Sequence, residues 1–141
     1  MADFRIEIDP SPKPQDVTAV RDGLRRFNHP HLGEAATAAM GIFLRDPAGA
    51  VVGGLVGEMR LGWLHISMLW VSEGLRGQGF GTRLLAAAEE EARKNGCRHA
   101  YLDTLSFQAR PFYERRGWQM FGALEDFPAG HTRYFMQKAL A

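Results

Sequence analysis

The sequence predicts one α/β domain, built on a mixed and mostly antiparallel central sheet of about six or seven strands flanked by helices. Three observations lead there. A nearly unbroken apolar run, Trp63–Val71, reads as a central strand. It hands over through the glycine-rich turn Arg76-Gly77-Gln78-Gly79-Phe80-Gly81-Thr82 to an amphipathic helix and then to a strand at residues 99–104, the order of a right-handed parallel βαβ crossover. The other apolar alternations come in pairs separated by turn residues, which is the pattern of hairpins.

Length and charge narrow the possibilities further. With 141 residues, 45% of them hydrophobic, the chain has room for a single domain spanning residues 1–141 with one core. A formal net charge of +1 gives no broad field to hold nucleic acid or an anionic membrane, so a small molecule or a peptide is the expected partner. The single Cys97 cannot close an internal disulfide, and Asp3, Arg5 and Glu7 leave no apolar signal core near Met1. Cytoplasm is the expected location. The apolar run at 63–71 contains His65 and is far shorter than the roughly 20 residues of a spanning helix.

Taken in order, Phe4, Ile6 and Ile8 alternate with Arg5, Glu7 and Asp9 as a short first strand, which Pro10, Pro12 and Pro14 stop. With Asp16 as N-cap, Val17, Val20, Leu24 and Phe27 recur at helical spacing and predict a helix ending near Asn28. His29-Pro30-His31 breaks that pattern. Two close histidines alone make no metal centre, which needs three or four converging ligands, and no metal is expected. Residues 28–40 read as a small, polar, irregular segment. Residues 41–45 and 50–61 form a hairpin about Asp46-Pro47-Ala48-Gly49, and a tight turn at Leu61-Gly62 leads into the central strand. Its apolar character predicts cover on both faces. Past the glycine turn, Leu84, Leu85, Ala88 and Ala92 make one helical stripe, with Glu89, Glu90, Glu91, Arg93 and Lys94 on the other faces. Asn95-Gly96 ends that helix. A short helix follows within residues 107–118; Pro111 requires its cap to be Gln108 or later, and Gly117 ends it. Residues 118–124 and 133–140 alternate as two antiparallel strands whose exposed edges could pair across a homodimer.

The glycine turn carries the chemistry. Glycines at alternate positions, Gly77, Gly79 and Gly81, leave the backbone uncovered, so successive N–H groups can close on an anion while the next helix adds its positive end. A dinucleotide fingerprint would need a third glycine where Thr82 stands, and a Walker loop would need Gly-Lys-Ser/Thr. What fits is R-x-x-G-x-G, through Arg76, Gly79 and Gly81. This resembles the acyl-CoA pyrophosphate loop of the GNAT superfamily of N-acyltransferases. A second stretch is similar to that family's other hallmark, A-x-x-F-Y-x-x-x-G-aromatic, through Ala109, Phe112, Tyr113, Gly117 and Trp118. Two departures stand out: Glu73 where the family often has proline, and Ser106 where it often has asparagine.

The resemblance implies acetyl transfer from acetyl-CoA to an amine, and with Cys97 placed away from the glycine turn, direct attack in a ternary complex is the expected route. It implies cofactor contacts at Arg76, Gly77, Gln78, Gly79, Phe80, Gly81 and Thr82, at Ser106 and Phe112, and along the backbone of Leu69, Trp70 and Val71. Tyr113 matches the family's acid position, and a phenol with a pKa near 10 is protonated at neutral pH. A primary alkylamine with a pKa near 10.4 must lose a proton before it attacks, so a base is needed. Glu58 on the neighbouring strand is the first candidate and His65 the second; the alternatives are a solvated strand residue for Glu58 and a hydrogen-bonded core histidine for His65. Asn28 with the segment after it, and Glu125, Asp126 and His131 between the last strands, are candidates for holding the acceptor, an exposed polar turn being the alternative for the latter three. Cys97, at the opposite end of the crossover helix from the glycine turn, reads as a buried structural thiol. The acceptor is expected to be a small-molecule amine. A protein or peptide amine and a non-catalytic acyl-CoA-binding module are the alternatives, and Arg110, Arg115 and Arg116 make too small a cluster for nucleic acid.

Overall fold

The computed structural model describes residues 3–141 and divides into two compact units, Met1–Ala35 and Ala36–Ala141. In the first, a helix α1 spans Pro14–Leu32. Pro14 sits in the first turn, where a missing N–H costs no hydrogen bond, and Asp16 lies inside that turn against the helix's positive end rather than capping it. The helix runs four residues past Asn28. Pro30 falls in the last turn, and Gly33, at φ +59°, closes the end by donating its N–H to the His29 carbonyl at 2.8 Å. Phe4, Ile6 and Ile8 are almost fully exposed and form no strand. Their alternation says which face a strand would bury, but a strand exists only with a hydrogen-bonding neighbour, and none pairs with it among the described residues.

The second unit is a six-stranded sheet ordered β1-β2-β3-β4-β6-β5, from β1 (Ala38–Arg45), β2 (Val51–Arg60), β3 (Trp63–Val71), β4 (His99–Leu105), β5 (Gln119–Glu125) and β6 (Thr132–Ala139). The β3–β4 pair is parallel and the other four are antiparallel, as the crossover and hairpins require. The Asp46 carboxylate accepts the N–H groups of Ala48 and Ala50, both at 2.9 Å, which sets the β1–β2 turn. Helix α2 (Phe80–Lys94) makes the crossover and α3 (Arg110–Glu114) follows β4.

Leu84, Leu85, Ala88 and Ala92 are all buried against one sheet face with Leu55, Leu64, Ile66, Ala100, Leu102 and Met136. Each such leucine contributes about 2 kcal/mol by leaving water. Glu89, read from the sequence as a solvent-facing residue, is buried there as well, its Oε1 2.6 Å from Lys138 Nζ. On the opposite side of β3, Met68 and Trp70 are exposed by 61% and 51%, so the double cover expected of this strand is not found at those positions. No helix among the described residues is long and apolar enough to cross a membrane.

Candidate active site

The parallel pairing of β3 with β4 stops after four positions, the last being Ile66 with Leu102. Beyond it, Met68 to Val71 keep their β2 partners, Val56, Leu55, Gly54 and Gly53, while β4 diverges. One backbone edge of β3 is left free over the stretch containing Leu69, Trp70 and Val71. The chain then turns through Glu73–Leu75 into the glycine loop. Gly77 and Gly79 have φ of +77° and +83°, and nothing lies within 4 Å of where a side chain would begin at either. The need for glycine there is conformational, not steric.

Gly79 is the N-cap of α2. Among the described residues, no backbone acceptor takes the N–H groups from Gly77 to Thr82; the flanking bonds are Arg76 N to Glu73 O and Arg83 N to Gly79 O. These donors, together with the helix end, suit a phosphate or pyrophosphate. They border a cavity of about 380 Å³ lined by Val71, Leu75, Phe80, Phe112, the loop glycines, Thr82 and two guanidinium groups. Arg76 donates through Nε to the Val71 carbonyl at 3.0 Å. Arg116 donates through Nε to Thr82 Oγ1 at 2.9 Å and through Nη1 to the Phe112 carbonyl at 2.7 Å, with its guanidinium 3.8 Å above the Phe112 ring. Both arginines leave donors over for an anion. Leu75 and Arg116 were not legible as site residues. Arg116 is one of two adjacent arginines, and only the fold shows which faces the cavity.

Eight of the expected cofactor residues line this cavity: Val71, Arg76, Gly77, Gly79, Phe80, Gly81, Thr82 and Phe112. Leu69, Trp70 and Gln78 do not; Gln78 Nε2 instead donates to the Gly74 carbonyl at 3.4 Å. Ser106 is held elsewhere. Its hydroxyl accepts the Thr132 N–H at 3.1 Å and lies 3.1 Å from His131 Nδ1, so it ties the end of β4 to the β5–β6 loop.

Tyr113 is buried on α3, with the Phe112 ring edge-on at 5.2 Å and Trp118 at 5.9 Å. Burial pushes its phenol up to about 12, since the phenolate would be stranded away from water. It is next to a cavity residue but does not itself line the cavity. Trp118 Nε1 is buried with no partner among the described residues.

Glu58 and His65 are brought together. They are directly paired across β2 and β3, with His65 Nδ1 3.7 Å from Glu58 Oε1, and the imidazole stacks on Tyr101 at 4.5 Å. Ser67 is an extra residue between the Val56–Met68 and Gly57–Ile66 pairs, a bulge that sets which face Glu58 and His65 share. Their pocket, of about 280 Å³, also includes Arg60, Leu61, Trp63 and Tyr101. Asn28 lies in α1, half-buried. Residues 28–32, expected to be irregular, are helical, and 38–40 belong to β1. Glu125 and Asp126 are exposed at the end of β5, and Asp126 has φ +56°. Cys97 is buried, which raises its thiol pKa and keeps it protonated.

The profile of the acetyltransferase (GNAT) family matches residues 4–118. The chain is 42% identical over 120 residues to acetyltransferase Atu2258 of Agrobacterium fabrum, covering 85% of this chain and 88% of that protein. It is 43% identical over 93 residues to the blasticidin-S acetyltransferase of Streptomyces morookaense, covering 65% and 68%. A crystal structure of an acetyltransferase from Bacillus cereus superposes with a TM-score of 0.86 at 30% identity, over 94% of this chain and 97% of that one. With the open edge of β3, the donor-lined loop and these likenesses in agreement, the chain belongs to the GNAT acetyltransferase family.

Proposed function

We propose that this chain transfers an acetyl group from acetyl-CoA to a primary amine of a small molecule, by direct attack. The observation that carries the reading is the row of unpaired N–H groups from Gly77 to Thr82 beside a cavity with two arginines, directly after the free edge of β3. That row suits the pyrophosphate of coenzyme A, and the apolar walls at Val71, Leu75 and Phe112 suit its pantetheine arm. The blasticidin-S acetyltransferase to which the chain is similar is named for a small molecule, which favours an acceptor of that class.

Acetyl-CoA supplies an activated thioester: the amine nitrogen forms a bond to the acetyl carbon, the carbon–sulfur bond breaks, and the electron pair leaves on sulfur. This chain's residues manage the charge. A backbone N–H on the free edge of β3 near Leu69 or Trp70 polarises the carbonyl. His65, oriented by Glu58, takes the amine proton directly or through water. Tyr113 stays protonated and donates to the leaving sulfur. With a pKa near 12 it is far weaker as an acid than a thiol of about 8.5, so it stabilises the thiolate by a hydrogen bond rather than by giving up its proton.

The test is calorimetric titration of acetyl-CoA into the protein, followed by thiol release with a panel of small amines and lysine peptides. The expected result is binding and release that depends on a small amine. Release only with peptides would move the acceptor to proteins, binding without release from any amine would favour a binding module, and no binding would overturn the reading.

A further inference from the structure

The pocket that holds Glu58 and His65 has more chemistry than a base requires. Its two charged ends lie on the same face of β2. Glu58 is paired with His65, and two residues along, roughly 7 Å at about 3.3 Å per residue, Arg60 is paired with Trp63. Arg60 has no ion-pair partner among the described residues. Trp63 stands across from Arg60, at that end of the pocket, and Tyr101 stands beside His65 at the other. His99 covers one face of its indole at 4.6 Å, and Tyr101 meets it edge-on at 5.9 Å. Tyr101 also backs the His65 ring, so the pocket wall is a row of aromatic rings held by their neighbours. Such a wall presents flat area at little entropic cost.

We propose that this pocket receives the acceptor and selects a primary amine joined to a planar group that bears a carboxylate or equivalent anion about 7 Å away. The amine faces Glu58 and His65, the planar group lies along Trp63, and the anion meets Arg60. The assignment rests on reading Glu58 and His65 as the base. A plain diamine fits poorly, because its second ammonium would stand against the Arg60 guanidinium. An amine with no second charge leaves Arg60 unused.

Three probes separate these cases: 4-(2-aminoethyl)benzoate, 2-phenylethylamine and 1,4-diaminobutane. Each is titrated calorimetrically into the protein and assayed for acetyl-CoA-dependent thiol release. The expected result is at least tenfold tighter binding, and at least tenfold lower KM, for the carboxylate-bearing amine than for either of the others. Arg60→Gln abolishes that preference and Arg60→Lys restores part of it, while acetyl-CoA affinity reports that the fold is intact. Equal affinity for the three probes in the wild type, or a preference that survives Arg60→Gln, would overturn the proposal. If acetyl-CoA itself fails to bind, the acetyltransferase reading falls, and the binding titrations still decide whether the pocket recognises the carboxylate.

Discussion

His65 Nδ1 and Glu58 Oε1 stand 3.7 Å apart on paired positions of β3 and β2, and Gly57 lets these two strands lie close beside the pair. A Cβ at Gly57 would lie 2.4 Å from the His65 carbonyl oxygen. The close approach that needs glycine at 57 is therefore the one that seats the histidine, and it sits at the bulge that chooses their common face.

If the pair works as a unit, its two members should not act additively. His65→Ala is expected to lower kcat about a hundredfold and Glu58→Gln about tenfold. The double variant should match His65→Ala alone, since orientation by Glu58 is worthless without the ring. Steady-state kinetics with one amine checks this. Effects that multiply would mean separate roles.

Gly57→Ala should disturb the site through the backbone. The clash is with a main-chain oxygen, which cannot swing aside, so a loss of about 1–3 kcal/mol in denaturant unfolding is expected together with reduced turnover. Wild-type stability in this variant would show that the strands shift freely there.

Gly79→Ala isolates conformational strain at the glycine loop. The space is open but φ is +83°, so about 1–2 kcal/mol of strain is expected, with weaker acetyl-CoA binding as the loop relaxes. Gly74, equally open and without a positive φ, is the control and should tolerate alanine with unchanged binding. Calorimetric titration of the two variants distinguishes them.

Tyr113 should be the last phenol to ionise. Its folded pKa of about 12 exceeds the usual value near 10, so the stability linked to its protonated form is complete below pH of about 10 and is lost as pH rises through about 12. Ultraviolet titration of wild type against Tyr113→Phe should differ only near that upper limit. A difference appearing near pH 10 would mean that the phenol is not buried.

The Glu89–Lys138 pair is structural. Lys138 Nζ also donates to the Arg116 carbonyl at 2.8 Å, which links α2 and β6 to the end of α3. Lys138→Met should cost about 3–5 kcal/mol, because it leaves a carboxylate that is 6% exposed with Arg93 at 3.8 Å as its remaining counter-charge. Chemical denaturation measures it, and a loss below about 1 kcal/mol would mean that Glu89 is solvated or neutral.

What the sequence made legible follows from how local each signal is. The glycine loop, the stripe of α2 and the cap at Gly96 are set by backbone and helix period within a few residues, and they stand where spacing puts them. Glu89 was misplaced because its burial depends on Lys138, forty-nine residues away. Ser106 is held by His131 and Thr132 for the same reason: its partners lie in the β5–β6 loop and at the start of β6. Alternation at Phe4, Ile6 and Ile8 gives a face without a neighbour, and Pro30 in a last turn ends no helix. Trp63, Tyr101 and Arg60 carried no motif. They became a pocket only once β2, β3 and β4 lay side by side.

Amine-dependent thiol release by wild type and Tyr113→Phe distinguishes transfer from a bound thioester, with Tyr113 at the leaving sulfur, from any other use of the cavity. The expected result is release that requires both acetyl-CoA and amine and falls at least tenfold in the variant, with acetyl-CoA affinity unchanged, as loss of one hydrogen bond to a developing charge requires. Full activity in Tyr113→Phe would contradict the role of the phenol, and thiol release indifferent to amine would contradict transfer itself.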